Sequence, residues 1–431
     1  MLLFLFQKGS EPMKLVYPVC CGVDVHKNSL TATIAATDKN NITQYTVETF
    51  STINRDIFRF RTWLKDHNCF HVCMESTGKY WIPVFNILEQ ADIHVLLTHP
   101  KYVKAIKGKK TDKKDSKWIA DLFKFDLVRS SFIPPKEIRA LREIGRYRYK
   151  LITMRASERN RYQNCMTVSN IGLASVLSDS FGKTATAIMQ HVLTSEVFDE
   201  EHCKTLIQKS AKKKTDLILD SIRDCNIDAD QRFKMQEAKA HMDYLDKTIL
   251  KTEIELYTRI KPHMPTVQFI SNQLPGITQL SAALIFSEIG FDMSVFESAK
   301  HLNSWAGLAP ANNESAGKKK SVRISKAGQF LKPLLVQCAL AAVKSKKEPY
   351  FAVKYQKLKK RRGHKKAIIA IARMMLTCIY HMVKTGETFN PSDYEELRNP
   401  APKKVVALSD ETAIAFLAAQ GYDVSALKKV V

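Results

Sequence analysis

Disulfide spacing, membrane-length apolar runs and acidic charge are what this sequence has least of, and each shortage excludes a class of protein. Nine cysteines stand at 20, 21, 69, 73, 165, 203, 225, 338 and 378 with no CxxC pair and no short framework spacing. That excludes a disulfide-stapled scaffold and reads as reduced thiols in a cytosolic compartment. Cys69, His71 and Cys73 lack a second ligand pair at zinc-finger spacing, so they read as core residues. The opening MLLFLFQKGSEP has six apolar residues and no basic region before them, too little for a signal peptide or a span. Residues 1–12 read as a translated leader before a natural start at Met13. The longest apolar run, 367 to 383, contains Arg373 and His381 and reads as a buried helix, so no membrane partner is expected. No internal repeat and no long low-complexity segment is visible.

Acidic charge is the sharpest deficit. Asp plus Glu number 43 against 67 Lys plus Arg, a net charge of +24, and a cytosolic chain with that excess meets a polyanion, nucleic acid before anionic membrane. With 45% hydrophobic and 26% charged residues in 431, the chain is globular and long enough for about three domains.

Three β-rich runs, 19 to 25, 29 to 36 and 42 to 49, form a meander whose last turn is Asp38-Lys39-Asn40-Asn41. A helix over 52 to 66 follows, then a strand at 70 to 75, a helix at 80 to 90, a strand at 93 to 98 and a helix from 112 to 125. Three antiparallel strands followed by alternating α and β is the order of an RNase H-like domain, placed at 13–133 and closed by Pro134-Pro135. The second region, 134–264, reads as helical and coiled-coil. Ile138, Leu141, Ile144, Tyr147, Leu151 and Met154 recur at helical spacing beside a basic face that includes Arg142 and Arg146. Met235, Ala238, Met242, Leu245, Ile249, Thr252 and Leu256 form a seam that wants a partner helix, either the 138 to 162 helix or a second subunit. The third region, 265–390, is mostly helical, α on α, and opens on Leu274-Pro275-Gly276-Ile277, a helix-hairpin-helix-like turn. Residues 308 to 330 read as a basic loop, and 391–431 as a tail.

Chemistry concentrates in the first region. Asp24 lies on the strand face shared with Gly22, whose missing side chain leaves room for a metal and a phosphate. Glu75 ends a strand expected beside it, and Asp112 and Asp115 share one side of a helix start. Four carboxylates converging need compensation. Mg²⁺ takes hard oxygen ligands, and two such ions roughly 3.5 to 4 Å apart serve phosphodiester chemistry. Residues 101 to 120 hold eight Lys and two Asp, and Lys109, Lys110 and Lys113 there read as phosphate contacts. His26 reads as a phosphate contact or a strand cap. Arg361 and Arg362, in a run of basic residues from 359 to 366, read as a nucleic-acid backbone patch.

The motifs GVDVHK at 22 to 27, MESTGKYW at 74 to 81, KTDKKDS at 110 to 116, LPGI at 274 to 277 and GLAPANNESAGKKKSVRISKAGQ at 307 to 329 together resemble the insertion-sequence one-ten family of transposases, the DEDD recombinases. The resemblance implies a RuvC-like domain with a metal-binding tetrad at Asp24, Glu75, Asp112 and Asp115, a coiled-coil segment, and a C-terminal transposase domain with a serine nucleophile. By motif position that serine is Ser315, with Ser321 and Ser325 close by. Lys318, Lys319, Arg323 and Lys326 then stand where they stabilise phosphoryl oxygens. It further implies a structured guide RNA, a bridge RNA pairing with donor and target DNA, a homo-oligomer (dimer or tetramer), and a place in the bacterial cytoplasm with the nucleoid. The expected function is that of a DNA recombinase of a mobile element. Two other readings stay open: a hydrolytic junction-resolving nuclease using the tetrad alone, and a non-catalytic nucleic-acid-binding protein of transposase descent.

Overall fold

Alternation along the first strand decides the architecture of the N-terminal half. In β1 (Val19–Val25) Cys21, Val23 and Val25 face one way and Cys20, Gly22 and Asp24 the other, and each set joins a different layer. The structure, a computed structural model, describes residues 14–76, 78–100, 103, 111–195, 198–208, 210–310, 313–315, 318–321, 323–325, 327–398 and 410–425. The expected leader and the lysines at 109, 110 and 326 lie outside them. The chain divides into two compact units, 1–135 and 136–431.

In the first unit β1 pairs antiparallel with β2 (Ser29–Thr37), and β2 with β3 (Thr43–Ser51). Next come α1 (Asn54–Asp66), β4 (His71–Glu75), α2 (Trp81–Glu89), β5 (His94–Thr98) and α3 (Asp112–Phe123). β4 runs parallel to β1 and β5 parallel to β4, giving a mixed sheet in the order β3-β2-β1-β4-β5. This arrangement is consistent with an RNase H-like domain. One face of the sheet packs Cys21, Val23, Val72 and Met74 with Ile57, Phe60, Leu64, Val84 and Leu88 of α1 and α2. The other packs Cys20, Ala35 and Cys73 with Ile119, Ala120 and Phe123 of α3. Cys69 and Cys73 belong to different layers, and burial pushes the Cys69 thiol up to about 12, which suits an inert core residue. All nine cysteines are free.

The second unit opens with α4 (Lys136–Val168), followed by α5 (Leu173–Val176), α6 (Lys183–Thr194), α7 (Glu200–Leu206), α8 (Thr215–Asp220) and α9 (Ala229–Ile260). The seam residues from Met235 to Leu256 are buried, and their partner is α4, antiparallel in the same chain. Arg148 reaches Glu253 at 2.6 Å and Arg155 reaches Asp246 at 2.5 Å, residues that rise along one helix and fall along the other. Two members of the α4 stripe expected from sequence, Tyr147 and Met154, are instead exposed, at 53% and 52%. The face turned to α9 carries Leu151, Glu158, Tyr162 and Cys165, so the stripe drifts off line after Leu141.

Beyond α9, α10 (Met264–Gln273) and α11 (Gln279–Ile289) are joined by the Leu274 to Thr278 turn. Thr278 caps α11 by accepting from the Ser281 N–H at 3.1 Å. Gly276, at φ +80°, turns its bare side onto the next layer: a Cβ there would stand 2.5 Å from the Cys338 carbonyl. The elements that follow are α12 (Ala299–Trp305), the hairpin strands β6 (Asn313–Ser315) and β7 (Lys318–Ser321), α13 (Leu331–Ala342), which holds Cys338, α14 (Tyr350–Arg362) and α15 (His364–Thr385). α16 (Tyr394–Arg398) and α17 (Asp410–Ala419) complete the described chain. The β6–β7 hairpin stands within the basic loop expected over 308 to 330; a run of lysines in the sequence carries no alternation that would announce a strand. α15 is long and apolar enough to cross a membrane by length and composition, yet half of its most apolar window is buried in the protein. Its Ile371, Met375 and Ile379 are core residues, and Tyr380 donates to the Phe296 carbonyl at 3.0 Å.

Candidate active site

The parallel pairing of β1 and β4 fixes the first two acids. Val23 lies opposite Met74, so the next residues along, Asp24 and Glu75, stand at the same end of the sheet on the face that α3 covers. α3 begins where its Thr111 cap accepts from the Lys114 N–H, and Asp112 and Asp115 occupy its first turn, where the helix N-terminus favours negative charge. Asp24 is 8% exposed. Burial raises its carboxyl pKa, His26 opposes that, and Asp112, Glu75 and Asp115 add to it. Three carboxylates, the farthest of them 91 residues on in sequence, therefore act on Asp24.

Gly22 sets the distance between these elements. A Cβ there would lie 2.2 Å from the Ser116 carbonyl oxygen and 2.3 Å from the Ala120 nitrogen. The space expected above Gly22 for a metal and a phosphate is thus filled by the backbone of α3. What glycine provides is an approach close enough to bring Asp112 beside Asp24. Ser116 is buried in that contact and hydrogen-bonds Thr33 on β2 at 2.7 Å.

His26 joins the acids directly. Its Nε2 lies 3.3 Å from Asp24 Oδ2 and 3.5 Å from Asp112 Oδ1. Donor atoms of Asp24, His26 and Asp112 all fall within 4.8 Å of one another. Hard carboxylate oxygens, crowded and partly desolvated, are a donor set that fits a divalent cation. The crowding has a measurable consequence without metal. A carboxyl whose pKa is raised on folding weakens the fold when ionised, and that penalty is relieved as pH falls through its folded pKa towards the usual carboxylate range. Asp24→Asn is therefore expected to melt above the parent protein at pH 7 in chelator, the gap closing as pH approaches about 4. A parent protein that melts higher at pH 7 in thermal scans would contradict this.

The basic residues divide. Lys113 is exposed on α3 beside the acids, and Arg361 and Arg362 are exposed at the C-terminal end of α14. Arg142 and Arg146, expected from sequence among the nucleic-acid contacts, both pair with a carboxylate inside the second unit. Arg146 pairs with both carboxylate oxygens of buried Glu288 at 2.8 and 2.9 Å, and its guanidinium lies 4.7 Å from the Phe330 ring centre. Arg142 reaches the same glutamate at 3.6 Å, and burial pulls its pKa down to about 10. Both arginines lock α4 onto α11, a use that charge periodicity alone cannot separate from nucleic-acid binding.

In the second unit Ser315 ends β6 opposite Lys318, and Asn313 pairs with Ser321; side chains in this hairpin, including those of Lys318 and Lys319, lie outside the described residues. Below it Pro310 bridges Ile324. At its base Gly307 and Gly328 cross, both at positive φ, with a Cβ on either lying within 2.3 Å of a carbonyl oxygen on the opposite strand. Lys332 donates to the Ser325 carbonyl at 2.7 Å, and Arg323 is exposed nearby. Sequence reasoning missed this neck, although the two glycines flank the basic stretch.

Residues 21–171 match the DEDD transposase model of the IS110 group, described as a transposase, and residues 270–356 match the Transposase IS116/IS110/IS902 family. The chain belongs to the IS110 family of transposases. The two matches cover the segments that carry the acidic cluster and the Ser315 hairpin. Among relatives of this IS110-family chain, a pilin gene-inverting protein of Moraxella bovis is 32% identical over 127 residues, 28% of this chain and 38% of that protein. The transposase for insertion sequence element IS1111A of Coxiella burnetii is 28% identical over 119 residues, 27% of this chain and 32% of that one. The insertion element IS900 uncharacterized 42 kDa protein of Mycobacterium paratuberculosis is 27% identical over 150 residues, 34% and 37% of the two chains. The matched stretches thus span between 32% and 38% of the length of these relatives.

Proposed function

We propose that this IS110-family chain is a DNA recombinase of a mobile element that cleaves and rejoins strands through a Mg²⁺ site at Asp24, Glu75, Asp112 and Asp115 and a serine nucleophile, Ser315. The observation that carries the reading is the convergence of Asp24, Asp112 and their two acidic neighbours at one end of an RNase H-like (RuvC-like) sheet, seated by Gly22. Bound divalent metal supplies Lewis-acid charge for phosphodiester chemistry at such a site. The chain's own part is to hold the carboxylates together, with α3 shielding Asp24 while Asp112 stays open to a substrate.

Ser315 acts by covalent exchange. Its hydroxyl oxygen bonds to phosphorus, the sugar oxygen leaves and takes up a proton, and the phosphoseryl diester keeps the energy of the broken bond for rejoining. Lys318, Lys319, Arg323 and Lys326 offset the charge on the phosphoryl oxygens. Substrates are donor and target DNA, the guide is a structured RNA, and the active form is a homo-oligomer in the bacterial cytoplasm, at the nucleoid. The test is an end-labelled DNA reaction resolved under denaturing conditions. Ser315→Ala should eliminate the protein–DNA adduct and Asp24→Ala the strand cleavage. Adduct that persists in Ser315→Ala shifts the role to Ser321 or Ser325, while cleavage with free ends and no adduct favours the hydrolytic nuclease. Undiminished recombination by Asp24→Ala defeats the metal-site reading.

A further inference from the structure

We infer that His26 is a nitrogen ligand of the metal site, so that the cluster is a mixed imidazole–carboxylate centre and not an all-oxygen one. This inference rests on the metal-site reading above and deepens it. His26 sits just past the end of β1, and its backbone N–H donates to the Ser29 carbonyl at 2.8 Å, which fixes the turn into β2. The ring is therefore presented from an anchored position. Its Nε2 lies 3.3 Å from an oxygen of Asp24 and 3.5 Å from one of Asp112, although those acids come from different elements 88 residues apart. Donors bound to one small octahedral cation at about 2.1 Å stand roughly 3 Å apart when adjacent and about 4 Å when opposite. The spread of this trio, within 4.8 Å, is close to that range.

Exposure favours the same role. The Asp24 side chain is 12% exposed, whereas those of His26 and Asp112 are 50% and 54% exposed. The centre is closed by the sheet beneath and open above, where a phosphate oxygen has access. An imidazole in the donor set favours Mn²⁺ over Mg²⁺ more than carboxylates alone do, because nitrogen suits the softer first-row ion.

The probe is Mn²⁺ bound to the full-length protein, observed by pulsed electron paramagnetic resonance. Directly coordinated ¹⁴N should modulate the signal, change to the ¹⁵N pattern when all 12 histidines carry ¹⁵N, and disappear in both His26→Ala and His26→Gln. Titration calorimetry should show about a tenfold loss of Mn²⁺ affinity in these variants and a smaller loss for Mg²⁺. Mn²⁺ bound to the parent protein without histidine nitrogen coupling overturns the role of His26 and leaves the carboxylate site standing. Coupling that survives in both variants overturns it equally. Failure of the parent protein to bind Mn²⁺ at all removes the metal site itself, and this inference with it.

Discussion

Gly22→Ala is expected to abolish divalent-metal binding by the N-terminal unit and to lower its melting temperature by about 10 °C. The reason is distance, not backbone conformation. The added methyl would stand 2.2 Å from the Ser116 carbonyl oxygen and 2.3 Å from the Ala120 nitrogen. Both are main-chain atoms in the middle of α3 and cannot swing aside as a flexible side chain does. Overpacking a core costs about 1–3 kcal/mol where side chains can yield, and a backbone clash belongs at the upper end or beyond. Relief requires α3 to retreat from β1. Asp112 and Asp115 are in the first turn of that helix and retreat with it, while Asp24, two residues past Gly22, stays on the strand. The buried Thr33–Ser116 hydrogen bond is lost in the same movement. Mn²⁺ titration measures the first effect and calorimetry in chelator the second. An alanine variant with parental melting and parental affinity would show that the close approach of α3 is not what assembles the acids.

Much of this site is legible in the sequence because it depends on parity. A strand puts alternate residues on one face, so Asp24 and Glu75 follow once β1 and β4 are neighbours, and the order of β-rich runs makes them so. The pair Asp112 and Asp115 follows from helical spacing. What escapes is whatever depends on contacts between distant segments. The neighbour of Gly22 is Ser116, 94 residues on, and a sequence showing an empty position cannot reveal that a helix backbone fills it. The arginines of α4 illustrate the same limit. A basic helical face looks alike whether it meets phosphate or a glutamate 142 residues later, and only packing shows that Arg146 is committed to Glu288. The seam of α9 was legible as apolar, but its choice of α4 over a second subunit was not, since both offer equivalent surfaces. The Ser315 hairpin was hidden because a run of lysines carries no alternation.

Gly328→Ala is expected to cut formation of the protein–DNA adduct by about 100-fold or more while leaving metal binding by the N-terminal unit unchanged. Gly328 has φ +68°, a conformation that costs a residue with a side chain roughly 1 kcal/mol or more. Its Cβ would also fall 2.0 Å from the Ala306 carbonyl oxygen, a closer approach than at Gly22. Gly307 faces the Ala327 carbonyl in the same way, at 2.3 Å, so the two backbones pass with no room for a methyl on either. That crossing holds together the ends of the 308–327 stretch, whose closure would otherwise cost entropy. Above it come the Pro310–Ile324 bridge and the strand carrying Ser315, and beside it the Lys332 ammonium holds the Ser325 carbonyl at 2.7 Å. Forcing the neck open removes the support beneath the strand that carries Ser315, the proposed nucleophile, and a displacement of about 1 Å at a reacting group is enough for a loss of this size. The separation of effects is what makes the result informative, because Gly328 and the acidic cluster belong to different compact units. Adduct yield on denaturing gels and Mn²⁺ affinity by calorimetry are read on the same preparation. Parental adduct yield in Gly328→Ala would mean that the nucleophile is positioned by something other than the glycine crossing. Loss of metal binding alongside loss of adduct would mean that the variant is globally unfolded, which the melting curve of the N-terminal unit detects independently.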